Sequence, residues 1–419
     1  MIETLRNAWK IPELRKKLMF TALILLLYRV GNVIPVPFIN AELLTGYFNN
    51  VLGETILGLY NAMSGSAFSQ GTVLALSIQP YINASIIIQL LTVAIPALER
   101  MAKEEGEEGK KKLTMITRCS TVGLGLIMGW GFYTLLSANQ ILTKTGFLPG
   151  LVIVLALTAG SAVVMWLGEQ INEYGIGNGI SMILFANIIS SLPAGLSTML
   201  GMGWWAILVA IVMVALVLFI IFVNDAERRI PVQYAKRVVG RKIYGGQSTN
   251  LPIKVSMSGV MPIIFAQSIC SMPATICAFV PSWTNSWLNK NVFASTSVAY
   301  AIFYALMIFF FSWFYSTIQY DPVEVANNLQ KNGGFIPGFR PGKATATFIQ
   351  KVIGKIVIFG AIYLTVVAIL PIIAGNVLPN VAGLAIGGTS VIIVVGVALE
   401  TVKALEAQML MRHYKGFLD

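Results

Sequence analysis

Long apolar runs separated by short polar or charged stretches dominate the hydropathy pattern of this sequence. A helix needs roughly 20 apolar residues to cross a bilayer, and ten runs approach or exceed that length. The predicted crossings are residues 18–35, 73–96, 115–137, 149–169, 179–193, 203–223, 256–279, 296–318, 352–374 and 384–405. The pattern therefore predicts an all-α polytopic membrane protein with ten transmembrane helices.

The stretches between the runs complete the predicted organisation. Residues 1–17 carry apolar positions at helical spacing, which predicts an amphipathic segment on the cytoplasmic membrane surface. Residues 36–72 are too weakly apolar to span. The loops 224–255 and 319–351 exceed what joining neighbouring helices requires, and such length usually carries function. Residues 406–419 form a polar C-terminal tail.

Composition and charge agree with this organisation and orient it. Charged residues make up 11% and apolar residues 56% of the chain, whereas soluble domains carry about a quarter charged residues. Residues 30–99 contain no Lys or Arg, while the loops after the second, sixth and eighth crossings are rich in both. Because cytoplasmic loops retain basic residues, both termini are predicted to be cytoplasmic. The retention of basic residues on the cytoplasmic side can by itself explain the basic residues within 100–118, and it is the alternative to a binding role for them.

Ten crossings with both ends on one side predict two inverted five-helix halves, over 18–193 and 194–405, around a central path. The second helix of each half contains a related motif, Gln79-Pro80-Tyr81-Ile82 and Met261-Pro262-Ile263-Ile264. Proline removes an intrahelical hydrogen bond, so a kink is expected at each site.

Five motifs in chain order resemble the SecY family of protein-conducting channel subunits. They are PYINASIIIQLL at 80–91, GIGNGIS at 175–181, YAKR at 234–237 with YGGQS at 244–248, IPGFRPG at 336–342, and GGTS at 387–390. The resemblance implies the central pore-forming subunit of the general translocation channel in the bacterial plasma membrane. Such a channel passes unfolded secretory proteins across the membrane and releases membrane-protein helices laterally into lipid.

The resemblance also implies an hourglass-shaped pore closed at its centre by a ring of six aliphatic side chains. Carried over by motif, the ring residues are Ile82, Ile86, Leu184, Ile188, Ile264 and Ile393. Leu184 departs conservatively from the isoleucine that the family more often has. A narrow aliphatic ring offers nothing to a hydrated ion and can close a pore by dewetting.

Two further features follow from the resemblance. A plug that blocks the outer funnel is expected near residues 57–68, with Leu57, Leu59, Tyr60, Asn61, Met63, Ser64 and Gly65 as its site residues. An ordinary outside loop is the alternative there. Helices two and seven should form a lateral gate, and polar residues in these apolar helices are expected to pair across it when it is closed. The candidates are Gln89, Thr92, Gln267, Ser268 and Ser271.

The two long loops are expected, by resemblance, to dock the SecA ATPase or the ribosome, which supply the energy. Arg340, Arg237 and Arg241 are the candidate contacts. The other implied partners are the membrane subunits SecE and SecG, signal peptides, preproteins and membrane lipids.

Two other classes of protein, secondary transporters and enzymes, fit the sequence less well than a channel does. A secondary transporter would place ionisable residues in mid-membrane, where this chain has almost none apart from Arg29. An enzyme is disfavoured because no P-loop or Ser-His pairing is present. Three cysteines without a CxxC pair and the single His413 predict no metal site, and no cofactor is implied.

Overall fold

A computed structural model describes residues 2–49, 56–201, 203–234, 237–239, 242–244, 248–257, 259–279, 292, 297–377 and 387–415. The chain is predominantly helical in these ranges. In chain order the helices are α1 (Ile2–Lys10), α2 (Pro12–Gly31), α3 (Ala41–Tyr47), α4 (Ile56–Ser64), α5 (Gln79–Ala94), α6 (Pro96–Lys103), α7 (Gly106–Ala138), α8 (Phe147–Tyr174), α9 (Gly179–Leu200), α10 (Trp204–Asp225), α11 (Met261–Phe279), α12 (Val298–Gln319), α13 (Pro322–Lys331), α14 (Lys343–Val377) and α15 (Gly387–Lys415).

Each of the ten predicted segments overlaps a helix, in chain order α2, α5, α7, α8, α9, α10, α11, α12, α14 and α15. The helices α5, α11 and α12 are shorter than predicted, and the other seven are longer. Within the described residues, five helices are long and apolar enough to cross a membrane, or six if the bent pair α5 and α6 is one span. The apolar stretches Gly179–Pro193 of α9 and Met261–Cys277 of α11 are shorter than that criterion.

The prolines expected to kink the second and seventh predicted crossings begin helices instead. Pro80 is the second residue of α5, and Pro262 is the second residue of α11. A first-turn N–H has no intrahelical partner, so a proline there removes no bond. The sharp bend lies elsewhere, between Ala94 and Pro96, where α5 and α6 differ in direction by 106°.

The two long loops after α10 and α12 contain β-strands that the all-α prediction omitted. A three-stranded antiparallel sheet has the order β4-β1-β5, with β1 at Glu227–Tyr234, β4 at Ser248–Lys254 and β5 at Gly334–Phe335. The strands β2 (Arg237–Val239) and β3 (Lys242–Tyr244) pair as a hairpin. Since β1 pairs with β5, the sheet joins the loop after α10 to the loop after α12.

Buried apolar clusters show where these elements meet. The largest cluster contains residues of α2, α5, α8 and α9 together with residues of α10, α11, α12, α14 and α15. A second cluster packs the 36–76 stretch against α7 and α8. A third covers the three-stranded sheet with α13 and the first turns of α14. Residues from both predicted halves therefore share one core.

Candidate functional site

The six predicted ring residues all belong to the largest apolar cluster. Ile82 and Ile86 come from α5, Leu184 and Ile188 from α9, and one residue each from α11 and α15. The exposed fractions of all six lie between 0% and 3%, the residues being Ile82, Ile86, Leu184, Ile188, Ile264 and Ile393. The two pairs are spaced four residues apart, so each pair presents one helical face. Four separate helices thus contribute these branched aliphatic side chains to one buried cluster.

The segment predicted as a plug forms α4 and the glycine that follows it, residues 56–65, here termed the plug segment. Leu57 and Tyr60 pack into the second cluster. Met63 packs into the same cluster as the ring residues. Leu59 lies in α4, but its side chain is outside the described part of the structure. The plug segment therefore contacts both the second cluster and the cluster that contains the ring residues.

Several polar contacts fold the plug segment onto the turns that follow it. The Tyr60 hydroxyl donates to the carbonyl of Leu76 at 3.1 Å. The Asn61 carboxamide oxygen accepts from the backbone N–H of Ser69 at 2.9 Å. The Ser64 hydroxyl oxygen accepts from the backbone N–H of Phe68 at 3.2 Å. These bonds organise residues 60–76 as one unit.

Other polar contacts join the plug segment to surrounding helices. Asn187 of α9 donates its side-chain N–H to the carbonyl of Met63 at 2.7 Å. Asn32, at the end of α2, donates to the carbonyl of Ser64 at 3.4 Å. Arg29 of α2 donates to the carbonyl of Ala186 at 2.7 Å, so α2 and α9 are also bound to each other next to the plug segment.

Among the described residues of the predicted lateral gate, a side-chain hydrogen bond joins α5 to α11. Gln79 of α5 donates its side-chain N–H to the Ser268 hydroxyl oxygen of α11 at 3.3 Å, and both side chains are buried. Gln89 accepts instead from the Tyr315 hydroxyl of α12 at 2.8 Å. Both bonds run from the first predicted half of the chain to the second.

The remaining gate candidates bond within their own helices or are unpaired. Thr92 donates to the carbonyl of Ile88 at 2.7 Å, and Ser271 donates to the carbonyl of Ser268 at 2.9 Å. The buried side-chain oxygen of Gln267 has no partner among the described residues. Ser268 is therefore the gate candidate for which the described structure records a bond from α11 to α5.

Of the three candidate docking residues, Arg340 lies in the loop between β5 and α14. Arg340 is exposed between Gly338 and Gly342, whose φ angles of 90° and 97° suit glycine. Its carbonyl accepts from the Thr345 hydroxyl at 2.8 Å, which ties the loop to α14. Arg237 lies in β2, but its side chain is outside the described part. Arg241 lies outside the described residues altogether.

In the parts of the chain that the structure describes, no group of three or more His, Cys, Asp or Glu side chains is placed to hold a metal ion.

Comparison with known proteins identifies the family to which this fold belongs. The sequence profile of the SecY family matches residues 72–402. The chain belongs to the SecY family. The protein translocase subunit SecY of Streptomyces scabiei is 42% identical, with all of both chains aligned. The SecY subunit of Thermotoga maritima is 41% identical over 100% of this chain and 98% of its own.

Solved SecY-type structures share the fold at low sequence identity. One, described as the structure of a protein conducting channel, aligns with a TM-score of 0.68 and 18% identity over 94% of this chain and 92% of its own. Another, described as showing that the plug domain of the SecY protein stabilises the closed state of the translocation channel, aligns with a TM-score of 0.65 and 19% identity over 94% of this chain and 92% of its own. The described structure therefore has the SecY channel fold.

The family motifs did not point to several residues at this site. Asn187, Asn32, Tyr28 and Ser77 contact one another or the plug segment, and Gln79 and Tyr315 complete bonds to gate candidates. A sequence signal does exist for Asn187, since it is a lone amide in the apolar stretch 182–189. Polar groups in membrane helices generally face protein, but the partner becomes visible only in three dimensions.

Proposed function

We propose that this chain is the central pore-forming subunit of a general protein translocation channel. It passes unfolded secretory proteins across the bacterial plasma membrane and releases membrane-protein helices laterally into lipid. The observation that supports this role best is that all six ring residues, from four helices, are buried in one cluster that also contains Met63 of the plug segment. Membership of a family of protein translocase subunits agrees with it.

In this proposal the ring residues seal the resting pore. Their side chains offer no hydrogen-bonding partner to a hydrated ion, so water and ions are excluded from the constriction. Aliphatic side chains also bind no particular residue of a passing chain strongly, which lets varied sequences slide through. The plug segment adds a second barrier outside the ring. The chain serves as a conduit and is not itself an enzyme.

The membrane topology is part of the same proposal. Ten helices cross the membrane in two inverted five-helix halves, and both termini are cytoplasmic. The distribution of Lys and Arg supports this orientation, as does the equivalent position of Pro80 and Pro262 at the starts of α5 and α11. Labelling single cysteines at Lys144 and Lys331 in intact cells tests it. A membrane-impermeant reagent should label only position 144, and labelling at position 331 would reverse the topology.

The domain assignment follows from that topology. Residues 1–17 are the cytoplasmic amphipathic segment, 18–193 the first half, 194–405 the second half and 406–419 the cytoplasmic tail. The sheet-forming loops dock the SecA ATPase or the ribosome as the source of energy. SecE and SecG are the membrane partners, signal peptides and preproteins are the substrates, and membrane lipid receives the released helices.

Preprotein uptake into liposomes tests the proposal directly. The vesicles contain this chain with SecE, and SecA, ATP and a signal-bearing preprotein are added outside. Protease-protected preprotein should appear only when every component is present. Absence of uptake by correctly oriented complexes that bind SecA would contradict the proposal and favour a small-solute transporter.

Polar substitution tests the seal itself. Ile264→Asn should raise the resting ion leak of the vesicles, by an order of magnitude or more, because an amide in the ring holds water where aliphatic groups exclude it. Ile220→Asn is the matched control, since Ile220 is also fully buried in the same cluster but lies on α10 and is not a predicted ring residue. Equal leaks from the two variants would show that the ring is not the seal.

A further inference from the structure

Two side-chain amides bind the C-terminal end of α4 through its backbone. The side-chain nitrogen of Asn187 lies 2.7 Å from the Met63 carbonyl oxygen, and that of Asn32 lies 3.4 Å from the Ser64 carbonyl oxygen. Met63 and Ser64 are the last two residues of α4. Because both bonds use main-chain oxygens, they depend on the position of the plug segment more than on its side chains.

The end of a helix is a favourable place for such donors. The last carbonyl groups of a helix have no intrahelical partner, and the helix dipole gives this end a partial negative charge. In a buried location these oxygens need donors from elsewhere. The Arg29 guanidinium approaches the same end, since its Nη1 atom lies 2.8 Å from where a Cβ on Gly65 would be. A cation beside a helix C-terminus is stabilising.

Asn187 is the best-placed of these groups. It is fully buried on α9, between the ring residues Leu184 and Ile188. Its side-chain nitrogen also donates to the Tyr28 hydroxyl oxygen at 2.9 Å, and that hydroxyl lies 3.1 Å from the Ser77 hydroxyl. The two N–H groups of the amide are thereby directed, one toward Tyr28 and one toward Met63.

The other half of the Asn187 carboxamide makes no such bond. Its oxygen is buried and has no hydrogen-bond partner among the described residues. An unpaired buried acceptor is costly, and an aliphatic side chain of similar size would remove it. Packing alone therefore does not account for an amide at this position, whereas donation to the plug segment does.

We infer that Asn187 is a latch that sets the resting position of the plug. This inference rests on the proposed function, in which the plug segment blocks the outer side of the pore. Asn187 is a positioning residue: it holds the Met63 carbonyl and touches no translocating chain in the closed state. Opening the channel breaks this bond, so the latch raises the threshold for plug displacement.

Substituting Asn187→Leu removes the donor and retains an apolar side chain of comparable volume. The buried Met63 carbonyl then lacks its partner, so the displaced plug should become on the order of tenfold more populated. Tyr28→Phe is the control, because it removes a hydroxyl that accepts from Asn187 but leaves the Asn187–Met63 bond possible. Asn32→Ala is a second variant that weakens the same end of α4 without altering α9.

Distance measurement between spin labels reports the plug position at rest. The full chain, with its native cysteines replaced and with SecE present, carries labels at Ala62 of α4 and Ala138 at the end of α7, in liposomes. Asn187→Leu should add a population at longer distances and raise the ion leak. Asn32→Ala should do the same to a smaller extent, while Tyr28→Phe should match the parent protein.

The possible results distinguish a failure of the latch inference from a failure of the proposed function. An unchanged distance distribution in Asn187→Leu, in vesicles whose unsubstituted complex transports preprotein, would overturn the latch and leave the proposed function intact. Equal displacement in Tyr28→Phe would also overturn it, because the bonding between α2 and α9 would then be responsible. Failure of the unsubstituted complex to transport would instead remove the proposed function.

Discussion

At the scale of single residues, Gly65 shows how closely the plug segment approaches its neighbours. Its φ angle is 65°, in the region that glycine adopts without strain. A Cβ at this position would lie 2.8 Å from Arg29 Nη1, 2.8 Å from Asn187 Oδ1 and 3.2 Å from Ser190 Oγ. The plug segment can therefore reach this position only because residue 65 has no side chain.

Gly65→Ala should consequently displace the plug segment and raise the resting ion leak. Gly203→Ala is a matched control, because Gly203 has a φ angle of 62° and a Cβ there would meet no described atom within 4 Å. Both substitutions strain the backbone by about 1 kcal/mol, but only the first adds a collision with the polar groups. Leak measurements and thermal unfolding of the two variants separate these effects, and equal leaks would contradict the close approach.

The contrast between the ring residues and Asn187 shows what a sequence can reveal at this scale. The six aliphatic positions could be named because they stand in recognisable motifs, and the structure places all six in one buried cluster. Their role as a seal stays a prediction. The sequence could not assign Asn187 a role, because it does not show which groups a lone amide in an apolar helix bonds. The partners, on α2 and α4, are visible only in the folded structure.

At the scale of helices and strands, hydropathy located the long helices but not their ends. α14 begins at Lys343, nine residues before the predicted start at 352, and α7 begins at Gly106 inside a charged loop. Lys, Arg and Glu are good helix formers, so a helix can continue into a charged loop. The hydropathy pattern therefore marks where an apolar run ends and not where the helix ends. The strands were missed because β1 is exposed over its first three residues and alternates in burial only after them. Its partners lie later in the same loop (β4) and in the loop after α12 (β5), so the pairing is not visible in a local pattern.

The predicted lateral gate between α5 and α11 can be tested by cross-linking the two helices. Gln79→Cys combined with Ser268→Cys, in a protein without native cysteines, places two thiols where a 3.3 Å bond now joins the helices. A short reversible bifunctional thiol reagent should then block preprotein uptake, and its removal should restore it, because opening requires these helices to separate.

The control pair joins helices within one predicted half. Arg118→Cys with Glu169→Cys replaces an ion pair of 2.8 Å between α7 and α8, and cross-linking there should leave uptake largely unchanged. Full uptake by protein cross-linked between positions 79 and 268 would refute the gate. Inhibition by both cross-links would instead indicate a general need for flexibility.

At the scale of the whole molecule, the strand-forming loops after α10 and α12 form a unit whose apolar cluster is separate from the one that contains the ring residues. Pairing of β1 with β5 joins the two loops, and their apolar side chains pack on α13 and α14. Phe339 stacks on Phe348 of α14 with ring centroids 4.2 Å apart. The neighbouring Arg340 is thus held on an ordered, exposed loop, remote in sequence from the ring residues of α5 and α9.

This separation predicts that docking and sealing can be altered independently. Arg340→Glu should lower SecA-driven uptake about tenfold and weaken SecA or ribosome binding, most strongly at low salt, because reversing an interfacial charge opposes electrostatic steering. The resting ion leak should stay at the parent value. Lys351→Glu makes the same change of charge at an exposed position farther along α14, and should change uptake little. If the two variants lose equal activity, net charge and not the Arg340 loop governs docking. If Arg340→Glu also raises the ion leak, the unit formed by the two loops is coupled to the pore in the resting state.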